Sequence, residues 1–166
     1  MADYSFVTKW CFEAPIDLVW EALAAGERYS DWWPCFIDYR NLTPEQNEVG
    51  SRVERIVKGR LPYKLRYETT VTRFEPLREL AYDAEGGLSG KGRFVLEQVG
   101  DKTHVTFYWN VSTKGFWLNL LAPMLKWLFA WNHNWVMDQG EQGLANWLSK
   151  RMQESASDEL PVPAKS

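Results

Sequence analysis

The chain holds two histidines and two cysteines, and their spacing decides which chemistries it lacks. His104 and His133 stand far apart, and Cys11 and Cys35 show no CxxC spacing. A structural zinc site needs four clustered nitrogen or sulfur ligands. A facial iron site needs two histidines held beside one carboxylate. Iron–sulfur centres need cysteine runs that this chain does not have. The sequence therefore predicts no metal and no cofactor. No GxSxG frames a serine, and the spacing gives no support to a Cys35–His133 nucleophilic pair. Neither a helix nor a Lys-Ser/Thr pair follows Gly86-Gly87, so that dipeptide reads as a hairpin turn rather than a phosphate loop.

The remaining polar groups suit a different task. Arg52, Arg55, Arg66, Arg73 and Arg93 fall on strand-like segments, and most belong on a solvated outer face. One arginine turned inward would meet a carboxylate or carbonyl of a bound molecule. Tyr67 and Tyr82 would offer hydroxyls beside it, and Asn132 and Gln139 would add amides. Such a set can polarise a carbonyl or steady an oxyanion. It can equally hold the polar end of an apolar ligand. His133, between Asn132 and Asn134, reads as a structural hydrogen-bonding residue. His104 opens a strand on the face opposite Val105 and Phe107 and is expected to be exposed.

A long helix must carry several of these groups. From Phe116 to Met152 one stripe recurs at three- and four-residue spacing. It comprises Leu118, Leu121, Ala122, Leu125, Phe129, Asn132, Val136, Gln139, Gly140, Gly143 and Trp147. Asn134, Asp138, Glu141 and Ala145 occupy the opposite side. Pro123 suits the first turn, and the main helix is expected over roughly 123–150. Gly140 and Gly143 each cost about 1 kcal/mol relative to alanine inside a helix. Either they let backbone pack closely, or they leave a hollow over a sheet. Both readings stand at this point.

The rest of the chain supplies that sheet. Tyr4 to Glu13 alternates with one aromatic face, a strand pattern. Pro15 opens a helix with Ile16, Val19, Trp20 and Leu23 on one stripe, and Gly26 suits its C-terminal cap. A second short helix spans 27–33 and stops at Pro34. Strands follow over 36–42, 52–60, 63–74, 79–85, 88–99 and 104–113, separated by turn signals. Trp33 and Trp32 join the short helix to the sheet, one expected in the core and the other at a cavity mouth. Ser155 to Ser166 is polar with two prolines and reads as a frayed tail, so the domain is expected to span 1–152 and the tail 153–166.

Composition agrees with a single globular unit. The chain has 166 residues, 45% of them hydrophobic and 25% charged. A net charge of −3 without a basic run argues against a nucleic-acid partner. Ten tryptophans, eight phenylalanines and seven tyrosines supply many rings able to line a pocket. Two isolated cysteines suggest free thiols and a cytoplasmic protein, and no leader-like start appears. The most apolar run, 116–131, is interrupted by Asn119, Pro123 and Lys126, which argues against a membrane span. Trp127 and Trp131 lie off the main stripe and suit a neighbouring loop, a dimer surface or a peripheral membrane contact.

The order strand, two short helices, six strands, long helix is the helix-grip arrangement. The segments APIDLVWEAL, ERYSDWWP, VGSRVERIVKGRLPY, VTRFEP and WNHNWVMDQGEQGL strengthen it. Over roughly residues 3–150 the chain resembles the polyketide cyclase/dehydrase and lipid-transport group of the START-related superfamily. That superfamily includes birch pollen allergen-like and coenzyme Q-binding proteins. The resemblance implies an α+β helix-grip fold, a seven-stranded curved antiparallel sheet wrapped around a long C-terminal helix. It also implies a cavity between sheet and helix for an apolar, lipid-like or polycyclic molecule. The expected lining is Trp10, Trp33, Phe36, Tyr67, Tyr82, Trp109, Asn132, Val136, Gln139 and Gly143. Three readings stay open: a carrier or sensor, an enzyme of the cyclase/dehydrase type, and an interaction module acting through its aromatic surface. The oligomeric state is left open too.

Overall fold

The computed structural model describes residues 2–113 and 122–158. The expected helix positions Leu118 and Leu121 lie outside the described residues. β1 (Ala2–Phe12) alternates as its pattern predicts. Tyr4, Trp10 and Phe12 are buried, while Val7, Lys9 and Cys11 face outward. α1 (Ile16–Ala24) follows Pro15, which occupies the N-cap without a side-chain acceptor. The Ile16 amide instead donates to Gln98 Oε1 at 2.7 Å, which satisfies one of the helix's open N–H groups. Val19, Trp20, Ala22 and Leu23 form its buried face. Ala25, not Gly26, caps α1, and Gly26 opens a 3-10 turn over Gly26–Arg28. α2 (Tyr29–Trp32) is one short turn whose Tyr29 and Trp32 are buried.

Six further strands complete the sheet. They are β2 (Phe36–Asn41), β3 (Arg52–Val57), β4 (Leu65–Glu75), β5 (Glu79–Gly86), β6 (Ser89–Val99) and β7 (Lys102–Thr113). The sheet order is β1-β7-β6-β5-β4-β3-β2, antiparallel throughout. β1 thus joins the last strand, and the other neighbours are consecutive hairpins. β3 stops at Val57 and β4 starts at Leu65, so 58–64 is a loop rather than the strand ends expected there. Leu61-Pro62 accounts for the early break, since proline donates no ladder hydrogen bond.

α3 (Ala122–Asp158) covers the sheet and extends beyond the expected end near Lys150. The residues read as a tail, Gln153 to Ser157, are polar but include good helix formers. Ser155 and Ser157 hydroxyls also bond the carbonyls of Arg151 and Gln153. Met137, Gly140, Leu144 and Leu148 form its deepest line. The second half of the expected stripe is therefore one residue out of phase, because the buried line drifts from Val136 to Met137 and onward. Leu144 and Leu148 meet Val19, Leu23, Trp10, Phe94 and Val105 in a dense core. That core lies under the second half of α3. The first half spans the other end of the sheet.

Candidate functional site

Under the first half of α3 the sheet does not touch the helix everywhere. A hollow of about 520 Å³ lies between them. One row across the sheet supplies part of its wall. Phe6 pairs with Trp109, Trp109 with Gly92, Gly92 with Tyr82, and Tyr82 with Val71. Gly92 sits in this row because the Tyr82 phenol lies over it and a Cβ would strike that ring. Tyr82 and Trp109 face each other at 6.1 Å between centroids. Phe129, Asn132, His133, Val136 and Met137 of α3 form the opposite wall.

Trp33 closes the hollow toward the core. Its Nε1 donates to the Val136 carbonyl at 2.8 Å. A Cβ at Gly140 would lie 2.5 Å from the Trp33 ring, so this glycine admits the indole. Gly143 meets a different surface: a Cβ there would strike the Trp32 carbonyl oxygen of α2. The glycines thus serve close packing against α2, and Gly143 is not a wall of the hollow. Of the expected lining, Trp33, Phe36, Tyr67, Tyr82, Trp109, Asn132 and Val136 are brought together around it. Trp10, Gln139 and Gly143 are not. Trp10 is 2% exposed in the dense core, against Trp33 and Phe94. Gln139 is half-buried on α3, off the lining.

The most telling wall residue is Arg55. Strand alternation puts Val53, Arg55 and Val57 on the inner face, so a cation occupies an apolar position. Its register partner on β4 is Tyr67. The guanidinium carbon lies 4.8 Å from the Tyr29 ring centroid, 5.3 Å from Tyr39 and 5.7 Å from Phe36. Nη1 reaches the Gly26 carbonyl at 3.4 Å, and a Cβ on Gly26 would come within 2.6 Å of Nη2. The glycine read as a helix cap thus lies directly beneath the arginine's head group. Among the described residues Arg55 has no carboxylate partner. The other strand arginines face outward and are paired: Arg52 with Glu68, Arg66 with Glu54, and Arg73 and Arg93 with Glu79.

Buried tyrosines share the wall of the hollow with this cation. Burial pushes the Tyr29 phenol up to about 12, with Arg55 opposing, and Tyr29 donates to the Leu23 carbonyl at 2.6 Å. Burial also raises Tyr67 and, further, Tyr82, again against Arg55. All three stay protonated and able to donate. The Tyr4 hydroxyl is buried without a partner among the described residues. His133 stacks on Phe6 at 4.4 Å and its Nε2 is 3.5 Å from Thr8 Oγ1. Burial lowers it to about 4, so the imidazole is neutral near pH 7. Asn132 Oδ1 accepts from the Arg60 amide at 2.9 Å and holds the 58–64 loop to α3. No carboxylate lines the hollow among the described residues. Among them, no three His, Cys, Asp or Glu side chains are grouped to hold a metal ion, and no helix is long and apolar enough to cross a membrane.

Sequence reasoning ranked Tyr67 and Tyr82 but did not single out Arg55. The signal was present, because Arg55 falls between Val53 and Val57 at period two. Tyr29 and Tyr4 carried weaker signals, being one ring among many.

The fold and this hollow define a helix-grip protein with an apolar chamber and, among the described residues, one inward cation. Residues 5–154 match the family model described as polyketide cyclase / dehydrase and lipid transport, and the chain belongs to that family. Comparison with curated proteins gives no match. Among solved structures it is similar to the Zhui aromatase/cyclase from Streptomyces, at 15% identity and TM-score 0.79, covering 93% of this chain and 98% of that one. A START superfamily protein from Mycobacterium smegmatis is also similar, at 15% identity and TM-score 0.69, covering 89% and 98%. At these identities the likeness establishes the fold alone.

Proposed function

We propose that the protein binds a small apolar molecule in this hollow, as a carrier or sensor, and that Arg55 receives an oxygen-bearing, anionic or carbonyl end of it. The observation that carries this reading is Arg55 itself. A cation facing an apolar chamber costs free energy unless something compensates it. Three aromatic faces compensate in part, by about 0.5–2 kcal/mol each. A ligand oxygen would complete the shell with charge-assisted hydrogen bonds. The volume falls in the range that drug-sized ligands occupy, and the few polar groups among many rings suit a ligand with one polar end. The family's name, which includes lipid transport, is in keeping with such a ligand.

A second reading has one specific support. Arg55 with the Tyr67 and Tyr82 hydroxyls forms a donor cluster that would stabilise an enolate or oxyanion. A cyclase or dehydrase of this family would use the same chamber, holding a folded substrate close to reaction geometry. The lining offers no carboxylate base among the described residues, and neutral His133 is a weak one. This favours the carrier or sensor.

Native mass spectrometry of protein purified from its own cells tests the proposal. The expected result is a mass increment from one apolar molecule with an acid or carbonyl group, absent from Arg55→Gln. A bare chain, or equal occupancy in both proteins, would count against it. A co-purified molecule altered by wild type but not by Tyr67→Phe would favour the enzyme.

A further inference from the structure

Trp127, Trp131 and Trp135 fall four residues apart and form one line along α3. Trp127 and Trp131 lie off the core stripe, while Trp135 is half-buried and anchors the line by packing against the core. Trp127 is 69% exposed and Trp131 38%, a large exposure for side chains that otherwise fill interiors. Arg60, from the 58–64 loop, lies over this line, 4.7 Å from the Trp131 ring centroid and 6.0 Å from Trp135. The Arg60 amide is held by Asn132, so loop and helix form one surface. Tyr63 of the same loop is 49% exposed and also lines the hollow.

The charge of this surface is one-sided. Residues 58–64 and 122–137 contain Lys58, Arg60, Lys64 and Lys126 and no carboxylate. With the chain at −3, everything outside these two segments sums to −7. Lys58, Arg60, Lys64 and Lys126 are all exposed. Indole and phenol rings with interspersed cations are what a lipid headgroup region accommodates. The rings lie at the boundary between acyl chains and water, and the cations meet lipid phosphates. A second copy of the chain would bring like charges face to face across a two-fold interface. An anionic bilayer would bring opposite charge, and would repel the acidic remainder of the molecule outward.

We propose that the Trp127–Trp131–Trp135 line and the basic 58–64 loop form a docking surface for an anionic lipid bilayer. Docking there sets one end of the hollow, at Tyr63 and Asn132, against the lipid. The proposal stands apart from the identity of the hollow's occupant, because it rests on the outer surface alone.

Sedimentation with vesicles of equal parts phosphatidylcholine and phosphatidylserine, against pure phosphatidylcholine vesicles, tests it. The full chain is expected to pellet with the first and to be released by added salt. Lys58→Gln with Lys64→Gln should weaken binding about thirtyfold, at the usual contribution of each basic residue near an anionic surface. Trp127→Ala with Trp131→Ala should remove it. Both pairs are exposed, and an unchanged thermal midpoint would verify folding. Equal binding by wild type and both variants would overturn the proposal, as would failure of wild type to bind the anionic vesicles. Light scattering that shows a wild-type dimer turned to monomer by the tryptophan pair would overturn it in favour of self-association.

Discussion

Gly143 of α3 and Trp32 of α2 are in backbone contact: the space a side chain would need at Gly143 is filled by the Trp32 carbonyl oxygen. Gly143→Leu would gain up to about 1 kcal/mol of helix propensity. It would also push the helix off α2, and overpacking of this kind costs about 1–3 kcal/mol. A carbonyl on a short, buried turn gives way poorly, so the upper part of that range applies. The expected outcome is a clearly lower thermal midpoint. An unchanged or raised midpoint would mean that α2 moves freely at this contact.

The fold was legible because its signals were local and repeated. Alternation in β1, Pro15 before α1 and the Gly86-Gly87 turn each predicted what stands there, and seven strands followed. The resemblance carried by the five motif segments pointed to the same fold. The hollow was legible in part. Trp33, Phe36, Tyr67, Tyr82, Trp109, Asn132 and Val136 were anticipated near it. Gly143 was not separable, since a glycine on an inner stripe suits both an empty space and a tight contact. Arg55 was obscured among five strand arginines, although its period-two place between Val53 and Val57 marked the inner face. Gly26 looked like a helix cap, yet it opens a 3-10 turn against which an arginine from a distant strand lies.

His133 makes the protein sensitive to acid. Its folded-state value is about 4, lowered by burial from an ordinary 6.5. Above that ordinary value both folded and unfolded chains hold it neutral. As pH falls from about 6.5 to about 4 the unfolded chain takes a proton that the folded chain refuses, so stability falls. The full loss from this one group is about 3 kcal/mol. Phe6 and Thr8, its neighbours from β1, supply no charge to offset it. Urea midpoints across this window should slope less in His133→Gln than in wild type. Parallel slopes would show that other groups carry the acid response.

The two thiols should react very differently. Cys11 is exposed on the outer face of β1, and Cys35, just before β2, is 2% exposed in the core. Burial pushes the Cys35 thiol up to about 11, which keeps it from the reactive thiolate form. An aromatic disulfide reagent should label one thiol in the native protein and two after denaturation without reductant. Equal native rates would contradict the packing of Cys35, and no free thiol would reveal a bridge.

The most direct test of the account is a fluorescence titration of wild type and Arg55→Met with two probes. One is anilinonaphthalene sulfonate, rings with an anionic end, and the other a neutral naphthalene of similar size. Methionine keeps an apolar chain of comparable length and removes the cation. Wild type should bind the anionic probe at one site. Arg55→Met should bind it about ten- to hundredfold more weakly, the usual worth of a charge-assisted hydrogen bond or two, while the neutral probe is held as well or better. Wild type that binds neither probe, or an Arg55→Met protein that binds the anionic probe as tightly as wild type, would contradict the central claim.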